Sequence, residues 1–358
     1  MKAKKIKVLV VGCGNMGASH ARAYHKIEEF AIVGLVSRSP ESREKLSLEL
    51  GSLPMFSDFE NALKMTQPDV VSINTYPDTH AAYVRKSLQA GAHVFVEKPL
   101  ATTLEEASSL IKLALQENKK LVIGYILRVH PAWKKFKELA QTLGKPLVMR
   151  MNLNQQSSGT QWNTHKELMK SVSPIVDCGV HYTDMMCLMT QAKPITVSAI
   201  GARLSEEISP NMYNYGQLQI RFDDDSVGWY EAGWGPMISE SAFFIKDVFG
   251  PKGSVSMTNK SQEKSQNIEG HTKTEGIKIH HSVLDSKGEF AFSDEFIYTN
   301  DEPNHDELCF LEQEFLLKTI TTNIDLTDHM NSVLESMKIV FAADQSHKLG
   351  KTIMLNTN

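Results

Sequence analysis

Along the first 125 residues, short apolar runs alternate with stretches of helical spacing. The runs at 6–11, 31–36, 69–74, 93–96 and 121–125 are rich in Val, Ile, Leu and Phe and predict buried strands. Helices fit between them at about 16–28, 40–50, 58–65, 78–90 and 103–118. Two helix starts carry polar signals. Asp78 follows Pro77 as a capping carboxylate, and Thr103-Leu104-Glu105-Glu106 forms a capping box. Strands and helices in strict alternation, joined by short links, predict a parallel sheet covered on both faces. Such sheets bind ligands beyond the carboxyl ends of their strands.

After Gly124 the pattern changes. Helices are predicted at 132–142 and about 177–190, followed by alternating runs at 194–202, 212–222, 226–234, 243–249 and 252–257. Asp223-Asp224-Asp225-Ser226 has the composition of a hairpin turn, so the sheet is largely antiparallel. The polar stretch 258–276 reads as an exposed loop, and helices at about 305–321 and 328–347 precede a short strand at 352–355. The predicted fold class is α/β. A doubly wound parallel sheet occupies 1–125, and an α+β domain with a largely antiparallel open sheet occupies 126–358.

The first strand runs directly into Gly12-Cys13-Gly14-Asn15-Met16-Gly17, a G-x-G-x-x-G turn that opens a helix. Gly12 makes the tight turn, Gly14 lets backbone approach a pyrophosphate, and Gly17 lets helix and strand pack closely. The amides of Asn15, Met16 and Gly17 then face the phosphates at the positive end of the helix. With a strand before it and a helix after it, the turn predicts a dinucleotide site. An NAD-binding unit places an acidic residue at the end of the second strand for the ribose 2′-OH. This chain has Ser37-Arg38-Ser39 there, and a guanidinium pairs well with a 2′-phosphate. NADP is therefore the preferred cofactor, with NAD the alternative.

Composition narrows the class. A chain of 358 residues favours two domains, and 41% hydrophobic with 22% charged residues is ordinary for a globular enzyme. A net charge of −4 leaves no basic footprint for nucleic acid. No apolar stretch approaches a membrane span. Cys13, Cys178, Cys187 and Cys309 are dispersed without a C-x-x-C, which predicts a reducing cytoplasmic setting and neither a disulfide framework nor a cysteine zinc site.

Further segments carry a family resemblance. Ala90-Gly91-Ala92-His93-Val94-Phe95-Val96-Glu97-Lys98-Pro99 resembles the A-G-K-H-V-x-x-E-K-P signature of the glucose–fructose oxidoreductase and inositol dehydrogenase (Gfo/Idh/MocA) family. Thr75-Tyr76-Pro77-Asp78-Thr79-His80 is similar to its T-P-x-x-x-H turn. Asp177-Cys178-Gly179-Val180-His181-Tyr182-Thr183-Asp184 resembles its D-x-G-x-H-x-x-D helix start, and Tyr125 to Pro131 its Y-x-x-R-x-x-P entry to the second domain. The resemblance implies a Rossmann domain, and a second domain whose open sheet serves a homo-oligomer, dimer or tetramer. It implies hydride transfer between a nicotinamide and a hydroxyl or carbonyl carbon of a sugar, inositol or related polyol. It also places Thr75, Tyr76, Pro77, His80, Glu97 and Lys98 at the cofactor. The chain departs from the pattern at Ser171-Val172-Ser173-Pro174 and at Trp162-Asn163, both on the side where substrate is expected, so the substrate is left open.

Moving a hydride off an alcohol carbon requires removal of the hydroxyl proton, and the reverse requires a donor to the developing alkoxide. Lys98, just past a strand at the carboxyl edge of the sheet, suits that task, with Glu97 to orient it. Asp177 and His181, four apart, share a helix face, His181 serving as proton shuttle and Asp177 binding a hydroxyl or orienting the ring. A structural His–Asp pair, or a metal site from Asp177, His181 and Asp184, competes for the same spacing. Trp229, Tyr230 and Trp234 are candidates for stacking on a sugar ring, or for core. The leading reading is an NADP-preferring oxidoreductase. A cofactor-retaining NAD-dependent glycoside hydrolase and a non-catalytic nucleotide or sugar sensor are its alternatives.

Overall fold

The computed structural model describes residues 4–239, 244–258, 271, 273–299 and 301–355. Most of the loop expected at 258–276, and residue 243 of an expected strand, lie outside them. The chain divides into two compact units, one of residues 1–126 with 305–330 and one of residues 127–304 with 331–358.

The first unit carries β1 (Ile6–Val11), α1 (Asn15–Lys26), β2 (Phe30–Val36), α2 (Pro40–Glu49), β3 (Met55–Phe56), α3 (Phe59–Thr66), β4 (Val70–Ile73), α4 (Pro77–Gln89), β5 (His93–Glu97), α5 (Leu104–Gln116) and β6 (Leu121–Gly124). The strands order as β3-β2-β1-β4-β5-β6 and every pairing is parallel. The order reverses between β1 and β4, the switch point at which such sheets bind ligand. β4 and β6 are buried at every residue, as expected of strands covered on both faces. The two-residue β3 was not expected, being too short to show a period. Asp78 lies inside the first turn of α4, whose N-cap is Tyr76, so it is not the capping residue. Thr103 does cap α5, accepting from the Glu106 N–H at 3.2 Å.

A helix from the far end of the chain, α10 (His305–Thr321), packs on α1 and groups with this unit. Its buried face presents Leu308, Cys309, Glu312, Gln313 and Leu316.

The second unit begins with a single 3₁₀ turn (Ile126–Arg128), α6 (Pro131–Thr142) and β7 (Val148–Gln156). Then come α7 (Gly159–Leu168), α8 (Pro174–Asp177), α9 (Gly179–Thr190), β8 (Pro194–Ala202), β9 (Tyr215–Phe222), β10 (Val227–Gly235), β11 (Lys246–Gly250), β12 (Gly253–Thr258), β13 (Gly276–His281) and β14 (Glu295–Tyr298). The last elements are α11 (Thr327–Leu349), which begins in the first unit, and β15 (Ile353–Met354). Among the described residues the sheet runs β14-β13-β12-β11-β7-β10-β9-β8-β15, antiparallel except for β7 beside β10. The 223–226 hairpin turn forms as expected, with Asp225 at φ 63° and the Phe222 N–H bonded to the Ser226 carbonyl at 2.9 Å.

β7, near the middle of this sheet, was not expected. Met149, Met151 and Leu153 alternate correctly, but Asn152, Asn154 and Gln155 beside them are buried as well, which hides the strand's polarity pattern. The expected helix 177–190 is two helices, α8 and α9, that meet at Cys178. A Cβ on Gly179 would stand 2.9 Å from the Tyr230 ring, so α9 starts in close contact with β10.

Candidate functional site

In the first unit the chain leaves β1 and turns at Gly12, at φ 92°. A Cβ there would fall 2.4 Å from the Asn74 carbonyl oxygen, and one on Gly17 would fall 1.9 Å from the carbonyl oxygen of Gly12. Gly14 has nothing within 4 Å of that position. Two glycines are therefore dictated by packing within the protein, while the third opens onto space where another molecule can touch backbone. Gly14 is the N-cap of α1 and offers no side-chain cap. The amides of Asn15, Met16 and Gly17 thus keep their hydrogens for an anion, at the positive end of a three-turn helix. The residues fit a dinucleotide pyrophosphate.

At the end of β2, Ser37 is half-buried and Arg38 is exposed. Ser39 caps α2 by accepting from the Ser42 N–H at 3.3 Å. One turn into α2, Arg43 Nη1 donates to the Ser37 carbonyl at 2.5 Å. Burial pushes the Cys13 thiol up to about 11, opposed by the positive charge of Arg43. The Arg43 guanidinium thus stands in electrostatic reach of the glycine turn. Sequence reasoning singled out Arg38 and missed Arg43; the signal was its position one helical turn beyond Ser39.

Two further strand ends complete this face. After β4, Thr75 Oγ1 lies 2.6 Å from Thr79 Oγ1, Tyr76 is 38% exposed, and Pro77 is buried at the start of α4. His80 is fully buried, with Nδ1 at 2.8 Å from the Pro99 carbonyl and Nε2 at 2.9 Å from the Thr75 carbonyl. Burial outweighs those two carbonyls and holds its pKa below the ordinary histidine value. After β5, Glu97 turns inward, Oε1 at 2.8 Å from His20 Nε2, and Lys98 is half-buried beyond it.

In the second unit, Asp177 ends α8 at 6% exposure and His181 lies in the first turn of α9, half-buried. They sit on successive helices rather than on one. Asp184, 1% exposed, is held by Arg128 through Nε at 2.8 Å and Nη2 at 2.6 Å, and by Ser332 Oγ at 2.9 Å. That bidentate pair separates its role from the two residues before it.

Residues that the sequence reading passed over gather near Asp177. His165 on α7 stacks on Trp234 of β10, centroids 4.5 Å apart at 13°. Burial lowers the His165 pKa to about 4, opposed by the charge of Asp177, so a neutral imidazole stands within that carboxylate's field. Gln155 Oε1 accepts from Trp234 Nε1 at 2.7 Å, and Gln155 Nε2 lies 2.9 Å from His271 Nε2. Trp234 thus faces His165, and Tyr230 stacks on Tyr182 at 5.0 Å. Trp229 is half-buried and donates to Gln217 at 3.1 Å.

Residues 6–125 match the model of an oxidoreductase family with an NAD-binding Rossmann fold, and residues 137–355 match that family's C-terminal alpha/beta domain. The chain belongs to the Gfo/Idh/MocA family. Among its relatives, the UDP-N-acetylglucosamine 3-dehydrogenase of Acidithiobacillus ferrooxidans is 31% identical over 192 residues, 54% of this chain and 56% of that protein. The match thus spans little more than half the length of that relative. The scyllo-inositol 2-dehydrogenase (NAD(+)) of Bacillus subtilis is 27% identical over 261 residues, 70% of this chain and 73% of that one. In fold, the family member resembles apo scyllo-inositol dehydrogenase from Lactobacillus casei, with a TM-score of 0.75 at 20% identity and 99% of both chains covered.

Proposed function

We propose that this family member is an NADP-preferring oxidoreductase acting on a CH–OH group of a sugar, inositol or related polyol. The observation that carries the reading is the glycine turn, open only at Gly14, followed at the next strand end by Ser37, Arg38 and Arg43 with no carboxylate at 37–39. Gly12, Gly14, Asn15, Met16 and Gly17 hold the pyrophosphate. Ser37 and the two arginines hold the 2′-phosphate, with Thr75, Tyr76, Pro77, His80, Glu97 and Lys98 toward the nicotinamide end. The cofactor, when bound, accepts or supplies the hydride. Lys98 stabilises the developing alkoxide or removes the hydroxyl proton. Within the second unit, Asp177 is the candidate to bind a hydroxyl and His181 the candidate proton shuttle, and His165, neutral beside Asp177, adds a hydrogen-bonding ring without adding charge.

The named relatives are dehydrogenases. This favours hydride transfer over the hydrolase and sensor readings. Fluorescence titration with NADPH and NADH compares wild type with Arg38→Ala, and turnover is read as absorbance with myo-inositol, scyllo-inositol and UDP-N-acetylglucosamine. Tighter NADPH binding that weakens about 10-fold or more in the variant supports the NADP assignment. Equal or tighter NADH binding, untouched by the substitution, overturns it. Lys98→Ala that keeps full turnover overturns the role of the lysine.

No helix among the described residues is long and apolar enough to cross a membrane, and the four cysteines are free, which supports a cytoplasmic setting. On the second-unit sheet, Val148 pairs with Val227 at 39% and 37% exposure, and Ile200 is 63% exposed. These exposed apolar side chains, on a face that also carries Arg150, Gln219 and Arg221, support a homo-oligomer through the sheet, and a monomer mass by light scattering at micromolar concentration refutes it.

A further inference from the structure

We propose that Lys98 is positioned from inside the first unit by a buried polar chain, Gln313–His20–Glu97, with His80 fixing the backbone on its other side. The inference rests on reading Lys98 as the reacting lysine, and it adds His20 and Gln313, both fully buried, as positioning residues.

The chain begins in the register of the sheet. Glu97, the last residue of β5, pairs with Gly124 of β6. A Cβ on Gly124 would come within 3.2 Å of Glu97 Oε1, so the glycine leaves the carboxylate its room. Glu97 is 7% exposed, and its two oxygens have different tasks. Oε1 lies 2.8 Å from His20 Nε2, and Oε2 accepts the Lys98 backbone N–H at 3.3 Å. His20 on α1 is fully buried, its ring 4.7 Å from that of Phe95. Gln313 on α10, also fully buried, brings Nε2 to 2.9 Å from His20 Nδ1.

Donor and acceptor accounting gives the chain a direction. The Gln313 amide nitrogen can only donate, so His20 Nδ1 accepts and the ring proton sits on Nε2. That proton is then donated to Glu97. One tautomer serves both links of the chain, which is how a buried polar chain stiffens its surroundings, although Gln313 Oε1 itself has no hydrogen-bond partner among the described residues. A second carboxyl lies close by. Burial, reinforced by the charge of Glu97, pushes Glu312 well above the usual carboxylate range. Glu97 is left as the acceptor that His20 serves.

The other side of Lys98 is fixed in the same manner. Pro99 follows it, and its carbonyl lies 2.8 Å from His80 Nδ1. Parallel pairing of β5 with β6 already aligns the strand. What the side-chain chain adds is control of the first peptide group beyond the strand, the one that carries the lysine. A residue more than two hundred positions away, on α10, thereby helps aim Lys98.

The test is the reactivity of the lysine itself, which needs no substrate. Dialysed full-length protein is pulse-labelled with acetic anhydride, and acetylation of Lys98 is followed by peptide mass spectrometry against exposed Lys112 of α5. His20→Leu removes the donor to Glu97, whereas the His20→Gln amide can still reach that oxygen. Lys98 labelling is expected to rise at least threefold in His20→Leu and to stay within twofold of wild type in His20→Gln, with Lys112 unchanged in both. Should His20→Leu lose its fold, seen as Lys112 and Lys98 rising together, Gln313→Met decides, with the same selective rise expected. Folded variants whose Lys98 labels at the wild-type rate overturn the proposal. The outcome is independent of whether Lys98 is catalytic, which the turnover of Lys98→Ala decides separately.

Discussion

The two units spend their buried polar groups differently. In the first, several hold backbone at strand ends: His80 reaches two carbonyls, Asn74 Nδ2 reaches the Ser72 carbonyl at 3.2 Å, and Glu97 takes the Lys98 N–H. In the second, they sit within the strands themselves: Asn152, Asn154 and Gln155 are consecutive or nearly so on β7, inside the sheet. A nucleotide is common to many enzymes, and backbone amides at a helix start recognise it. A substrate is particular to each, and side chains must recognise it. The chain keeps the family's nucleotide-side motifs and departs from its pattern at Ser171-Val172-Ser173-Pro174 and Trp162-Asn163.

The comparison predicts its largest effect inside the glycine turn. Gly17→Ala drives a Cβ to 1.9 Å from a carbonyl oxygen, and neither backbone can yield without separating α1 from β1. A loss on the order of 4–5 kcal/mol of unfolding free energy is expected by denaturant titration. Gly14→Ala meets nothing within 4 Å, so its fold survives while nucleotide affinity falls. A Gly14→Ala protein that binds nucleotide as wild type would break the idea that this glycine is open for a ligand.

Next comes the ion pair of the second unit. Asp184→Ala leaves the Arg128 guanidinium with Ser332 but without its bidentate carboxylate, in a site where Asp184 is 1% exposed. Breaking one partner of such a pair costs about 3–5 kcal/mol. Urea unfolding that shifts by less than about 1 kcal/mol would show that Arg128 relaxes to water, and that the pair is not a keystone of α9.

How much of this was legible follows the same divide. The alternation of strands and helices over 1–125, and the three glycines with their separate tasks, are local in sequence, because a parallel sheet covered on both faces needs continuous apolar strands. Lys98 and its Glu97 were legible as a motif. Their support from Gln313 was not, since no local pattern announces that α10 returns to pack on α1. β7 was hidden by its own buried amides: Asn152, Asn154 and Gln155, the last bonded to Trp234 and close to His271, erase the period that marks a strand. His165 was overlooked for a related reason. A lone histidine in a weakly patterned helix reads as surface, and only its stacking on Trp234 and burial at 3% exposure mark it out.

That histidine supplies the mildest and most diagnostic expectation. His165 is held near a pKa of about 4 by burial, so the folded protein resists taking up a proton that the unfolded chain accepts near pH 6.5. Because the unfolded state binds more protons between those values, stability rises with pH across the window and is lost as pH falls from 6.5 toward 4. The loss from this group is at most about 3 kcal/mol. His93 in the first unit, lowered to about 4 by burial and then by Lys119 and Lys120, contributes with the same sign, so the slope alone does not locate the effect. His165→Phe does, because it keeps a ring on Trp234 and cannot ionise. Its Tm should fall less than that of wild type between pH 7 and pH 4.5. Parallel Tm curves for the two proteins would mean that His165 takes up its proton equally in the folded and unfolded states, and a Tm that falls more in the variant would mean a cation paired with Asp177; either overturns the neutral ring.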